Sequence, residues 1–100
     1  MEFLVEIQVN FPPDMPAVDL ADVTAREAVR GQELQQAGTI VRIWRIPGRR
    51  ANVGIWQGDD AHAVHEAITS LPAFPWIDAR VTALAIHPLE AYEVVSEPTR

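Results

Sequence analysis

One glutamate falls within the apolar stripe of a predicted helix. Between Pro16 and Gly38 the apolar residues recur at steps of three and four, as Leu20, Val23, Leu34 and Ala37. Glu27 occupies the same stripe, where an amphipathic helix ordinarily carries an apolar side chain. Burial raises the pKa of a carboxyl group toward neutrality, where it can act as a general base. The spacing therefore indicates either a proton-transfer group in an apolar pocket or an internal ion pair with Arg30 or Arg26.

An asparagine and a group of arginines are the other candidates for contact with a ligand. Asn52 alternates with Gly54 and Trp56 in a predicted strand, so its amide faces the sheet interior. There it can be a hydrogen-bonding core residue, or it can bind a carbonyl or lactone oxygen of a substrate. Four of the eight basic residues crowd one predicted hairpin, namely Arg42, Arg45, Arg49 and Arg50. In an acidic chain this cluster indicates either arginines that are merely exposed at the surface or a binding site for the carboxylate of a substrate.

The histidines are poorer candidates. His62 and His65 lie about one turn apart beside Glu66, but opposite the apolar residues Val64 and Ile68, so a solvated helix surface is expected rather than a metal site. The zinc-protease order His-Glu-x-x-His is absent from the sequence. His87 ends the last predicted strand, where a structural role is favoured over a pocket position, and Glu33 is expected at the surface.

Composition excludes several classes of function. The net charge of −6 argues against nucleic acid or an anionic membrane as a partner. All eight basic side chains are arginine, so lysine Schiff-base chemistry is excluded, and the lack of cysteine excludes disulfides and thiol chemistry. We expect no cofactor and no metal. The acidic, alternating N-terminus and the lack of a long apolar run predict a cytoplasmic location.

Periodicity predicts one domain with four strands and two helices in the order βαββαβ. The strands are expected near residues 2–9, 40–46, 51–57 and 79–86, and the helices near 16–38 and 60–71. This order predicts a ferredoxin-like α+β fold with both helices on one face of an antiparallel sheet. Trp44, Trp56, Trp76 and an apolar tail are expected to cover the other face through self-association. The domain is placed at 1–88, and the tail at 89–100 on a neighbouring subunit.

Several segments, taken together and in order, resemble the muconolactone Δ-isomerase family from Phe3 to about Pro88. They are Val9-Asn10-Phe11-Pro12, Asp14-Met15-Pro16, Ala25-Arg26-Glu27, the stretch from Gln32 to Gly38, Trp44-Arg45, Gly48, Ala51-Asn52, the stretch from Leu71 to Asp78, and the stretch from Val81 to Pro88. Each segment alone is a weak signal. Their combination is specific.

The resemblance implies a ferredoxin-like subunit of a cytoplasmic homodecamer in the β-ketoadipate pathway, with C-terminal tails closing neighbouring pockets. It also implies a cofactor-free shift of a double bond within an unsaturated γ-lactone that carries a carboxymethyl arm. Glu27 would move the proton and Asn52 would donate to the lactone. The substrate-binding residues would be Arg26, Arg45, Arg50 and Trp44, with one of the three arginines clamping the carboxylate.

Four departures from the family pattern keep other functions open. Arg50 replaces a tyrosine, Leu4 a histidine and Thr24 a lysine, and Val41-Arg42 replaces a proline–histidine pair. We interpret these as positions of the binding pocket. The alternatives are an isomerase of a different lactone, a chloromuconolactone dehalogenase, or a protein that binds a small acid without converting it. A dimeric α/β-barrel oxygenase-like protein would share the subunit fold but not these motifs.

Overall fold

A four-stranded antiparallel sheet with helices forms the α+β fold of this chain. The computed structural model describes residues 1–90, so the expected tail at 89–100 lies almost entirely outside the described residues. The elements are β1 (Glu2–Val9), α1 (Ala17–Gln36), β2 (Ile40–Arg45), β3 (Ala51–Gln57), α2 (Ala61–Thr69), a 3₁₀ turn (Phe74–Trp76) and β4 (Ile77–Leu84). No helix among these residues has the length and apolar character needed to cross a membrane.

The strands lie in the order β2-β3-β1-β4, so the first strand is central. Val5 pairs with Gly54 of β3 on one side and with Val81 of β4 on the other. Phe3, Val5 and Ile7 of β1 are buried and Val9 is half-buried, as the alternation of apolar and polar residues predicts. The pairing register therefore determines which side chains of β2, β3 and β4 face the helices.

The hydrophobic core lies between the sheet and both helices. Phe3, Val5 and Ile7 of β1 pack there with Trp56 of β3. The two helices contribute Leu34 from α1 and Val64 and Ile68 from α2 to the same cluster. Burial of this apolar surface is the main favourable contribution to folding.

The prediction that three tryptophans cover the open sheet face is wrong for two of them. Trp56 pairs with Phe3 in the register, so it faces the helices and is only 1% exposed. Trp76 packs its ring against Phe11, with ring centroids 5.5 Å apart. Trp44 pairs with Val53, whose side of the pleat carries no helix, and it is 45% exposed. Alternation along β2 and β3 decides the faces of Trp44 and Trp56, because neighbouring strand positions face opposite sides. Trp76 lies in the 3₁₀ turn before β4.

The helix ends follow the sequence signals. α1 begins after Pro16, and Gly38 follows its end with φ +80°, a conformation that favours glycine. α2 begins at a cap formed by Asp60, whose Oδ1 accepts the backbone N–H of Ala63 at 2.9 Å. The last strand spans Ile77–Leu84 rather than the predicted 79–86, because its whole length pairs with β1 from Val9↔Ile77 to Glu2↔Leu84.

β2 approaches β3 closely at a glycine. β2 carries an irregularity between Ile40 and Arg42, and beyond it Ile43 pairs with Gly54. A Cβ atom on Gly54 would lie 2.5 Å from the Arg42 carbonyl oxygen. Glycine at position 54 is therefore required by the path of the neighbouring backbone, and that path forms part of the wall of the cavity described next.

Candidate active site

A cavity of about 620 Å³ opens between α1 and the sheet. Its walls come from the end of β1, from α1, from the β2–β3 hairpin and from the loop that follows α2. The lining is mostly apolar and consists of Ile7, Val9, Phe11, Leu20, Thr24, Glu27, Ala28, Gly31, Ile40, Ile43, Trp44, Arg45, Arg50, Ala51, Asn52, Trp56, Leu71 and Ala73. A concave apolar site with few polar groups is typical of a small-molecule pocket.

Glu27 is the acidic side chain among these lining residues. Its Oε1 accepts a hydrogen bond from the backbone N–H of Ala73 at 3.0 Å. Burial raises the pKa of the Glu27 carboxyl above its ordinary value, and the Ala73 hydrogen bond offsets part of that rise by favouring the charged form. The side chain is therefore positioned by the loop and poised to exchange a proton closer to neutrality than an exposed glutamate.

The arginines near Glu27 in sequence are engaged elsewhere. Arg30 donates from Nε to Ser70 Oγ at 2.9 Å and from Nη1 to Glu33 Oε1 at 3.0 Å. Arg26 donates from Nε to Asp22 Oδ2, one turn earlier on α1, at 3.0 Å. Within residues 1–90 neither guanidinium forms a salt bridge with Glu27. The geometry therefore favours the proton-transfer interpretation of Glu27 over the internal ion pair.

Two buried polar atoms belong to residues of the same cavity wall. Asn52 Oδ1 and Trp56 Nε1 have no hydrogen-bond partner among the described residues. A buried polar group without a partner is costly, and such groups are uncommon in folded proteins. The register places both side chains on the helix-facing side of β3, as the alternation of Asn52, Gly54 and Trp56 predicts. The asparagine amide is thus available to a ligand rather than committed to the core.

Two arginines bring positive charge to the cavity. Arg45 pairs with Asn52 in the register of β2 and β3, and it lines the cavity together with Arg50. The guanidinium carbon of Arg50 lies 5.5 Å from the centre of the Phe11 ring. Arg26, the third arginine proposed from the sequence, lies outside the cavity lining, on the exposed side of α1.

Trp44 has a divided position. It borders the cavity, but its register partner Val53 belongs to the sheet face without helices. The guanidinium carbon of Arg42, which shares that face, lies 4.9 Å from the Trp44 ring centre. The structure therefore links the indole to the open face more closely than to Glu27.

The histidines of α2 lie at the surface. His62 Nε2 is 3.0 Å from Glu66 Oε1, and both side chains are largely exposed. No group of three potential metal ligands occurs among the described residues. His87 accepts the Leu89 backbone N–H on Nδ1 at 3.0 Å. These placements agree with the surface and structural roles predicted from the sequence.

The interpretation of all four family departures as pocket positions needs correction. Thr24 and Arg50 line the cavity, whereas Leu4, Val41 and Arg42 do not. Leu4 pairs with Ile55 and Thr82, and Arg42 also pairs with Ile55, all on the sheet face away from the helices. The pleat separates these residues from the cavity, so only two of the four changes alter its lining.

Sequence reasoning missed two contacts of the site. One is the backbone N–H of Ala73, which gives no signal in side-chain chemistry, although it lies in the proline-bounded segment that carries the family resemblance. The other is Phe11, which follows β1 and lies beside Arg50. Its aromatic character next to a strand end offered a weak signal.

The fold and the cavity define a small α+β protein in which one half-buried carboxyl group shares an apolar cavity with an asparagine and two arginines. The sequence profile described as muconolactone delta-isomerase matches residues 1–90. The chain belongs to the muconolactone Δ-isomerase family.

Individual relatives agree with this assignment. The chain is 39% identical to muconolactone Delta-isomerase 2 of Acinetobacter lwoffii, over 87% of this chain and 91% of the relative. It is 39% identical to muconolactone Delta-isomerase of Cupriavidus pinatubonensis, over 88% of this chain and 96% of the relative. A crystal structure of muconolactone isomerase superposes with a TM-score of 0.82 at 35% identity, covering 88% of this chain and 92% of the other.

Proposed function

We propose that this chain isomerises muconolactone to the enol-lactone by a single-base proton shift. The base removes the proton from the ring carbon that bears the carboxymethyl arm, and the electrons pass through the double bond to the lactone carbonyl. The resulting dienolate takes the proton back at the carbon next to that carbonyl. One proton leaves and one returns, so the reaction needs no net acid, base or electron carrier.

The position of Glu27 carries this proposal. Its carboxyl group lies in an apolar cavity, its pKa is raised by burial, and Ala73 holds one of its oxygens. The second oxygen is then the one that faces the substrate carbons. A raised pKa suits both halves of the reaction, because the protonated group formed in the first step must return its proton in the second.

Asn52 is proposed to stabilise the negative charge that develops on the lactone oxygen. Its side chain lines the cavity with Glu27, and its amide carries two N–H donors on Nδ2 beside the acceptor Oδ1. The amide Nδ2 can donate to the carbonyl oxygen as it becomes an enolate. A donor already fixed in an apolar site costs little reorganisation when the charge forms.

The carboxylate arm of the substrate is proposed to bind Arg45, Arg50 or both. These guanidinium groups line the cavity, whereas Arg26 is paired with Asp22 outside it. Guanidinium groups bind carboxylates through two parallel hydrogen bonds, which also fixes the orientation of the ligand. The lactone ring would then lie between the arginines and Glu27, in the apolar part of the cavity.

The decisive experiment is an ultraviolet assay of the purified protein with muconolactone, with the product identified by NMR in deuterated water. We expect conversion to the enol-lactone and loss of turnover in Glu27→Gln. Glu33→Gln is the matched control, because Glu33 lies on the same helix but pairs with Arg30 at the surface. Recovery of unchanged muconolactone from the wild-type protein, even with protection against thermal unfolding, would replace the isomerase with a binding protein.

The proposal includes a ferredoxin-like subunit that assembles with copies of itself, as a decamer according to the family resemblance. The strand order β2-β3-β1-β4 and the shared helical core support the first point. Exposed apolar side chains outside the core, among them Trp44 and Leu84, support the second. Sedimentation velocity tests the assembly, and a monomer at micromolar concentration would contradict it. A cytoplasmic location belongs to the same proposal and is tested by cell fractionation.

A further inference from the structure

Three side chains form a cluster at one side of the cavity. The rings of Trp76 and Phe11 have centroids 5.5 Å apart and are tilted by 55°. The guanidinium carbon of Arg50 lies 5.5 Å from the centre of the Phe11 ring. Phe11 is therefore in contact with both neighbours, and Phe11 and Arg50 line the cavity that contains Glu27.

Backbone hydrogen bonds hold the three residues of this cluster close together. Val9 donates its N–H to the Arg50 carbonyl oxygen at 2.8 Å, and Asn10 donates its N–H to the Trp76 carbonyl oxygen at 2.8 Å. The two residues before Phe11 are thus bonded to the two residues that its ring contacts. This arrangement holds the backbone before Phe11 next to the backbones of Arg50 and Trp76.

An arginine held in this way differs from an ordinary surface arginine. A free arginine side chain samples many rotamers, and binding an anion requires it to lose that freedom. A flat guanidinium group stacks on an aromatic ring and keeps its N–H groups at the edge of the plane, available to a carboxylate. The ring thereby reduces the ordering cost of anion binding without contacting the anion.

We propose that Phe11, supported by Trp76, is a positioning residue that holds the Arg50 guanidinium as a preorganised receptor for the ligand carboxylate. Preference for anionic over neutral lactones then depends on Phe11 as well as on Arg50. This inference deepens the proposed function and takes its ligand class from it. The contribution of Phe11 is predicted to operate only through Arg50.

The test measures binding rather than turnover. The probe is the saturated lactone that carries the carboxymethyl arm, which lacks the double bond and cannot isomerise, and the reference is its methyl ester. Isothermal titration calorimetry compares the wild-type protein, Phe11→Leu, Arg50→Gln and the double variant. Arg80→Gln is the control, because Arg80 is the β4 register partner of Glu6 and lies on the open sheet face. We expect it to bind the acid as the wild-type protein does.

We expect Phe11→Leu to weaken binding of the acid about three- to fivefold and to leave the ester unchanged, in line with an exposed cation–π contact. In the Arg50→Gln background, Phe11→Leu is expected to have no further effect on the acid, which is the signature of coupling between the two side chains. Phe11→Tyr keeps the aromatic ring, and we expect it to bind the acid as tightly as the wild-type protein does. Equal loss for acid and ester, or the same loss without Arg50, would overturn the inference.

A further variant covers the case in which Phe11→Leu fails to fold, as shown by loss of a cooperative thermal transition. Arg50→Lys keeps the charge but cannot stack as a plane, so we expect weaker acid binding than in the wild-type protein. Wild-type affinity in Arg50→Lys would overturn the inference. Because the probe does not react, failure of muconolactone turnover would contradict the proposed function and leave this binding result interpretable.

Discussion

Ala73 and Glu27 are joined by a hydrogen bond across 46 positions of the chain, from the backbone N–H of one to Oε1 of the other at 3.0 Å. Ala73 is 1% exposed, so the donor is fixed in a loop that packs against the core. The bond orients a carboxylate whose burial is otherwise unfavourable for its charged form. It connects the loop after α2 to the middle of α1.

Replacing Glu27 by glutamine removes the proposed base and keeps an oxygen that can accept the Ala73 N–H. We expect kcat to fall by about 10²–10⁴-fold or more, the range attributed to a positioned general base. The measurement is the ultraviolet assay, with circular dichroism to verify the fold. Retention of more than a tenth of wild-type turnover would remove Glu27 from the mechanism.

The stability of the same variant depends on pH in a defined direction. Because the pKa of Glu27 is raised in the folded state, folding favours the protonated form. This contribution is complete below the ordinary glutamate pKa of about 4.3 and is lost as pH rises through the folded-state pKa. Relative to the wild-type protein, Glu27→Gln should therefore be more stable at pH 7 than near pH 4.

Urea unfolding at pH 7 and near pH 4 tests this difference. The stability advantage of Glu27→Gln should shrink at the lower pH, where the wild-type carboxyl is protonated. The pH profile of kcat/KM should also show an acid limb above the pKa of an ordinary glutamate. If Glu27→Gln is less stable than the wild-type protein by the same amount at both pH values, the carboxylate supports the fold and the prediction is contradicted.

The three arginines proposed from the sequence should separate in their effects on KM. Arg45→Gln and Arg50→Gln remove cavity guanidinium groups, and each should raise KM about tenfold, since a charge-assisted hydrogen bond contributes about 1.5–3 kcal/mol. Arg26→Gln should leave KM unchanged, because that side chain is paired with Asp22. A raised KM in Arg26→Gln, with KM unaltered in the other two, would move the clamp to the exposed side of α1.

Gly54 of β3 and Gly31 of the cavity wall should respond to alanine in opposite directions. A Cβ atom at Gly54 would meet the Arg42 carbonyl oxygen at 2.5 Å, so β2 must shift, at a cost of about 1–3 kcal/mol. Gly31 lies within α1 with no atom within 4 Å of an added Cβ, so Gly31→Ala should stabilise the helix by about 0.5–1 kcal/mol. Chemical unfolding measures both, and equal stability of the two variants would contradict the predicted strand contact.

Local patterns in the sequence determined the elements of the fold. Alternation predicted β1 and β3, and three- and four-residue spacing predicted α1. The predicted helix bounds near 38 and 60 fall at Gly38 and at the Asp60 cap. These features depend on side-chain periodicity and on capping, which act over a few residues. The same patterns placed Glu27 in an apolar stripe and Asn52 on the inner face of its strand, where the structure also has them.

Tertiary structure decided the relations that no local pattern contains. The pairing register left Leu4 and Arg42 on the open face and moved the bounds of the last strand to Ile77–Leu84. It also decided that the face of β3 shared by Asn52 and Trp56 is the one that meets the helices. Chain packing also decided that Arg30 bonds to Ser70, which leaves Glu27 to the Ala73 N–H. The physical reason is that these contacts join residues distant in the chain, from 13 positions for Arg42 and Ile55 to 82 for Glu2 and Leu84. Their geometry exists only once the sheet and helices have packed.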